Sequence, residues 1–175
     1  DTTVSQVVSG QTLFETNDTD ETRGLQELAV EADIYSVNEI YVGNNSGNLG
    51  SNILIPVSIN NMDSFTGFQL DITIPTGVEY VQNSVALSGR DEDHSISAAV
   101  LNPNTLRVIS YSPTNLNFNS TSGYVFSFSL FPVSNSVYLP LDISNSLISN
   151  LDLGDVISAV YSGYIPINAP FLTVN

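Results

Sequence analysis

The run Gly67-Phe68-Gln69-Leu70-Asp71-Ile72-Thr73-Ile74-Pro75 decides how the rest of the chain is read. Phe68, Leu70, Ile72 and Ile74 alternate with Gln69, Asp71 and Thr73. A period of two sends successive side chains to opposite faces, so this is a strand with one buried and one polar face. Working outward, the same period returns between turns. It predicts strands over residues 37–42, 53–59, 78–87, 95–101, 105–111, 124–131, 137–143, 156–161 and 171–174. Gly, Asn, Ser and Pro cluster between them, as turns require. Pro56 predicts an edge position for 53–59, because proline cannot donate to a ladder. Asn102-Pro103-Asn104 predicts a hairpin joining 95–101 to 105–111. No amphipathic helix follows residue 31, so the fold class is all-β, a sandwich or barrel. Phe68, Leu70, Ile72, Phe126, Phe128, Leu139 and Leu141 are its expected core.

The 175 residues carry 18 acids against 3 bases, a net charge of −15. Nucleic acid and anionic lipid need clustered Lys or Arg, so both are poor partners for this chain. There is no Lys, only Arg23, Arg90 and Arg107. That excludes a phosphate-loop lysine, a Schiff base and a Lys–Asn crosslink. Without Cys there is no disulfide, thiol nucleophile or thiolate zinc site. The absence of Trp weakens any sugar-stacking surface. No run of 18 apolar residues is present, so no membrane insertion is expected. Abundant Ser, Thr and Asn read as an extracellular composition.

Residues 1–33 read as an acidic N-terminal extension or linker, ahead of a β domain over 34–175. Within it, 4–14 is mildly apolar and predicts one strand. Glu15, Asp18, Asp20, Glu21, Glu27 and Glu31 then face Arg23 alone. Leu25, Leu28 and Ala29 stand at helical spacing, with Asp20 or Thr22 as a cap.

The candidate chemistry is thin. Arg90-Asp91-Glu92-Asp93-His94 is the densest charge cluster. Ser88 and Ser95 flank it, yet neither sits in a nucleophile elbow, so a triad is not expected. A loop whose Arg90 and His94 bond to backbone or to Asp91 and Asp93 is the plainer reading. Asp71 and Glu79 fall on neighbouring predicted strands, and a glycosidase needs two carboxylates ~5 or ~6.5–9.5 Å apart in a cleft. In so acidic a chain such pairs arise without function, and no catalytic residue is assigned. Calcium takes about 6–8 oxygen ligands and is compatible with this composition, though not required by it. Asn17-Asp18-Thr19-Asp20-Glu21 departs from an EF-hand loop, with Arg23 at the glycine position and Ala29 at the bidentate glutamate. Asp152-Leu153-Gly154-Asp155 is a second acidic turn. Both read as solvated loops, and no metal ligands are assigned.

The order of several short motifs carries a resemblance. Ile53-Leu54-Ile55-Pro56-Val57 precedes the run at 67–75, and Pro75-Thr76-Gly77-Val78 comes after it. Leu87 to His94, Leu106 to Ser112 and Phe118 to Gly123 come next. Over residues 34–175 the chain resembles cohesin domains, and its middle region resembles the cohesin-like domains of Bacteroidetes-type bacteria. The resemblance implies a nine-stranded jelly-roll sandwich. It implies a non-catalytic module that binds a dockerin, a small calcium-loaded helical partner, to assemble glycan-degrading proteins outside the cell. The bacterial surface or secreted fraction is the implied location. A carbohydrate-binding module, with polysaccharide as ligand, or a passive spacer of a surface protein is the alternative. Family members bind through one sheet face built from the third, fifth, sixth and eighth strands. Carried over by strand, that face holds Gln69, Asp71 and Thr73, then Ser95 and Ser97, then Arg107, Ile109 and Tyr111 if Leu106 and Val108 face inward, and finally Tyr138 and Asp142. Ile109 and Tyr111 are expected to supply apolar area, and Asp71 a carboxylate for a basic partner helix.

Overall fold

The alternation read from the chain builds two packed sheets. The computed structural model describes residues 37–134, 139–152 and 154–168. The expected extension over 1–33, its strand and helix, residue Tyr138 and the strand at 171–174 lie outside them. In chain order the strands are β1 (Asn38–Val42), β2 (Gly47–Asn48), β3 (Ile53–Asn61), β4 (Gly67–Thr73), β5 (Val78–Tyr80), β6 (Ala86–Leu87) and β7 (Ser95–Asn102). β8 (Thr105–Tyr111), β9 (Tyr124–Pro132), β10 (Leu139–Leu141), β11 (Ile143–Ser149), β12 (Ala159–Tyr161), β13 (Gly163–Ile165) and β14 (Ile167–Asn168) complete the series. Among the described residues these are fourteen segments, several of two or three residues, rather than nine long strands.

One sheet runs β12-β1-β3-β9-β5, with β6 also on β9. The other runs β11-β4-β8-β7. β10 pairs with β13 and β14 with β2 as short outlying ladders. Ile40, Ile55, Val57, Ile59, Phe126, Phe128 and Leu130 line the inner face of the first sheet. Phe68, Leu70, Ile72, Leu106, Val108 and Ile148 line the second. All seven expected core residues are buried. Each such side chain stabilises the fold by about 1.5–3 kcal/mol over its exposed state. Phe68 stacks on Phe126 at 5.3 Å between ring centroids, joining the two layers.

The hairpin is where the Pro-containing turn places it. Pro103 and Asn104 form its tip, and the Asn104 N–H donates to Asn102 Oδ1 at 3.0 Å. Leu106 and Val108 face inward, which turns Arg107, Ile109 and Tyr111 outward.

Three expectations fail for physical reasons. Pro56 is not on an edge strand, since β3 lies between β1 and β9. Proline is accommodated there because β1 has ended at Val42, opposite Val57. Beyond that point the Gly43 N–H donates to the Pro56 carbonyl at 2.8 Å, a bond that needs no proline N–H. A Cβ on Gly43 would lie 2.7 Å from the Pro56 ring, so glycine is needed beside it. The strand at 78–87 is broken, because the Ser84 N–H closes a turn onto the Val81 carbonyl and Asn83 takes a left-handed φ of 60°. Asp71 and Glu79 are not neighbours, because β4 and β5 belong to different sheets. They cannot form the carboxylate pair of a glycosidase.

Candidate functional site

The outer face of the four-stranded sheet gathers most of the nominated residues. Register fixes which side chains share a row. Leu147, Gln69, Ile109 and Ser97 form one row across β11, β4, β8 and β7. Ser144, Asp71, Arg107 and Ala99 form the next, and Ser149, Gly67, Tyr111 and Ser95 a third. Thr73 is exposed at one end beside Thr105. Ser95 and Ser97 are exposed along β7. Tyr111 is 56% exposed, with Leu147 and Ile109 more than a third exposed. Gly67 adds no side chain beside Tyr111. In a chain of net charge −15, these four strands contain one acid and one base, Asp71 and Arg107.

Those two charges meet. Arg107 donates from Nε to Asp71 Oδ1 and from Nη2 to Asp71 Oδ2, each at 2.7 Å. Asn145 Nδ2 adds a third donor to Asp71 Oδ2 at 2.8 Å. Asp71 is 2% exposed, so it does not offer the free carboxylate expected of it. The Arg107 hydrogen bonds hold its carboxyl below the usual range, and the same contact raises the guanidinium. Gln69 reaches the Asn145 carbonyl with Nε2 at 3.4 Å, only half covering itself.

Solved structures resemble this arrangement of strands. No protein-family model matches the chain, and no curated protein matches it. A non-cellulosomal cohesin from the hyperthermophilic archaeon Archaeoglobus fulgidus superposes at a TM-score of 0.63, with 19% identity over 75% of this chain and 91% of that one. A type I cohesin–dockerin complex from Clostridium thermocellum gives 0.66, with 14% identity over 81% and 99%. The cohesin CaCohA2 from Clostridium acetobutylicum gives 0.65, with 18% identity over 77% and 92%.

The chain has the cohesin fold.

On this cohesin fold, sequence reasoning missed β11. Leu147, Asn145 and Ser144 reach the face from it, and Ala99 joins them from β7. Its segment, Ile143-Ser144-Asn145-Ser146-Leu147-Ile148-Ser149, has no period of two. The pairing shifts between Ser144 and Leu147, and Asn145 bends there with φ 43°. A bulge of this kind reverses the inward and outward parity, which hides a strand from alternation. A polar segment containing Asn at the bend was the one available signal, since Asn tolerates that backbone region.

The Arg90–His94 loop is structural on this fold. Arg90 is buried and donates to the carbonyls of Asn119, Ile59, Gly123 and Ser120 and to Asn61 Oδ1. Its guanidinium also lies 5.6 Å over the Phe65 ring. Burial lowers its pKa. His94 packs on Phe118 at 3.7 Å, and its Nδ1 accepts the Glu92 N–H. Among the described residues no serine hydroxyl bonds to either nitrogen. Asp93 instead accepts the Ser112 and Thr114 hydroxyls, which hold its carboxyl low. These partners make a loop brace and not a triad.

Elsewhere, no group of three acids or histidines is placed to hold a metal among the described residues. In the turn at 152–155, Asp155 Oδ1 accepts the Ile148 and Ile157 N–H groups. On the opposite sheet Tyr41 and Tyr161 stack at 4.5 Å and 8°, each covering one ring face of the other. Glu39 accepts both their hydroxyls, which pushes the Tyr41 pKa up to about 12.

Proposed function

We propose that this chain is a non-catalytic, extracellular protein-binding module that takes a dockerin-type partner on the outer face of β11-β4-β8-β7. One observation carries the reading: this face is charge-neutral, its single ion pair bordered by exposed apolar side chains, on a chain of net charge −15. Interface centres are depleted of charge and enriched in aromatic side chains and Arg. Leu147, Ile109 and Tyr111 extend from one side of the Asp71–Arg107 pair in that manner. The cohesin fold, found in neighbours solved with dockerins, supports the same choice. Gln69, Thr73, Ser95 and Ser97 supply the polar surroundings. Residues 1–33 are proposed as an extension outside this module, and assembly of glycan-degrading proteins at the cell surface as its setting.

The glycan reading is less well supported. Sugar stacking needs a strip of free aromatic faces, whereas Tyr41 and Tyr161 each cover one face of the other and Tyr111 stands with the aliphatic Ile109 and Leu147 on its sheet. Calorimetry decides between the two. Titration with a panel of dockerin modules, with calcium present, is expected to give saturable binding. Binding to polysaccharides with no response to any dockerin sinks the proposal.

A further inference from the structure

Asp71 has no accessible oxygen left for a partner. Oδ1 accepts Arg107 Nε, while Oδ2 accepts both Arg107 Nη2 and Asn145 Nδ2. Its side chain is 3% exposed, while that of Arg107 is 32% exposed. A guanidinium has five N–H donors, and this pairing uses two of them. Nη1 stands on the side of the group away from Asp71. Its two hydrogens and the second hydrogen of Nη2 make no hydrogen bond among the described residues. Thr105 and Thr73 stand beside Arg107 on one side with hydroxyls that make no hydrogen bond to it, and its remaining neighbours carry no acceptor at the row's edge. Ala99 faces it across β7, and Ile109 is next along the outer side of β8.

We propose that the polar centre of this face is a donor, Arg107, and that the partner meets it with an oxygen acceptor rather than with a basic side chain. This rests on reading the face as the dockerin-binding surface. Asp71 and Asn145 are positioning residues that hold the guanidinium in place. Docking would exclude water around Arg107, because Ile109 and Leu147 lie in the next row and Tyr111 in the row beyond, and a charge-assisted bond strengthens in such surroundings. An approaching ammonium would meet the guanidinium before any carboxylate. The chain's overall charge does not oppose an acceptor here, since it is screened beyond about 8–10 Å at ordinary salt. It acts on the rate of encounter and not on this contact.

The test is selection from a displayed library of dockerin modules varied across the exposed positions of their helices. Wild-type protein is the bait, alongside Asp71→Asn/Arg107→Gln, a neutral pair of similar shape whose folding is checked by thermal unfolding. Modules enriched on the wild type are expected to place Asp, Glu, Asn or Gln at one shared position. They should bind the double variant about tenfold or more weakly. A second arm avoids any folding defect in this chain: alanine at that shared position of the module should cost the same factor on the wild-type protein. Enrichment of Lys or Arg there, or equal affinity for both baits, overturns the inference and leaves the dockerin reading standing. If no module is enriched on the wild type, both fall.

Discussion

Tyr111 is the residue with most at stake for binding. It is the most exposed large side chain of its face, and an aromatic anchor covered by a partner costs about 2 kcal/mol or more when truncated. Tyr111→Ala should therefore weaken a dockerin complex roughly thirtyfold while leaving the fold intact, as read by calorimetry and circular dichroism. Unchanged affinity moves the interface elsewhere. His94 is at stake for stability instead. It sits beside Phe118 and precedes Ser95, which pairs with Tyr111. Burial lowers its pKa from 6.5, against the smaller opposing influence of Asp93 and Asp91. The unfolded chain, titrating near 6.5, then binds the proton more readily than the folded one. Stability is complete above that value and falls as pH drops below it, by at most about 1.4 kcal/mol per pH unit. Urea unfolding at pH 7.5 and pH 5.5 should show this loss in the wild type and a reduced loss in His94→Phe. The lowered Asp71 and Asp93 groups act in a separate window, losing their contribution only as pH falls below about 3.9.

Pairing geometry at the level of strands makes a different demand. β4 and β8 approach closely at Gly67, where an added Cβ would stand 2.7 Å from the Ser110 carbonyl oxygen and 3.4 Å from the Tyr111 Cα. Both obstacles are backbone, so neither can rotate away. Gly67→Ala should lower stability by about 1–3 kcal/mol, the usual scale of overpacking, and displace the Tyr111 row. Chemical denaturation measures the first effect and dockerin affinity the second. An unchanged midpoint means the ladder gives way more easily than its register suggests. β11 shows why some elements escape a reading by period. Its bulge at Asn145 trades alternation for a side chain that reaches Asp71, and only pairing with β4 reveals the parity of Leu147 and Ile148 beyond the bend. β3 shows the converse. Its alternation is clear, and its place in the sheet was misread because Pro56 lies where β1 has already stopped.

Across the whole molecule, charge is the dominant property. Eighteen acids against three arginines repel one another, and that repulsion opposes the compact state. Raising sodium chloride from roughly 0.05 M to roughly 0.5 M screens it and should raise the thermal midpoint. A midpoint that falls with salt would show that local pairs such as Asp71–Arg107 outweigh the general repulsion. The sequence alone determined the all-β class, the buried faces of β4 and β9 and the hairpin at Pro103. These come from a period of two and from turn chemistry, which act between near neighbours in the chain. The parity of β8, apolar on both faces, was settled by the fold. The resemblance to cohesins, read from motif order, anticipated the fold that the solved neighbours share. Tertiary structure decided what lies beside what. Asp71 points outward, as its strand predicts, yet it is buried because Arg107 comes from β8 and Asn145 from β11, 36 and 74 residues away. Arg90 joins segments up to 33 residues distant, and Glu79 is carried off to the other sheet. Alternation tells each strand which way its side chains face. Which strands become neighbours, and so whether an outward carboxylate is free or already taken, depends on contacts that no local period encodes.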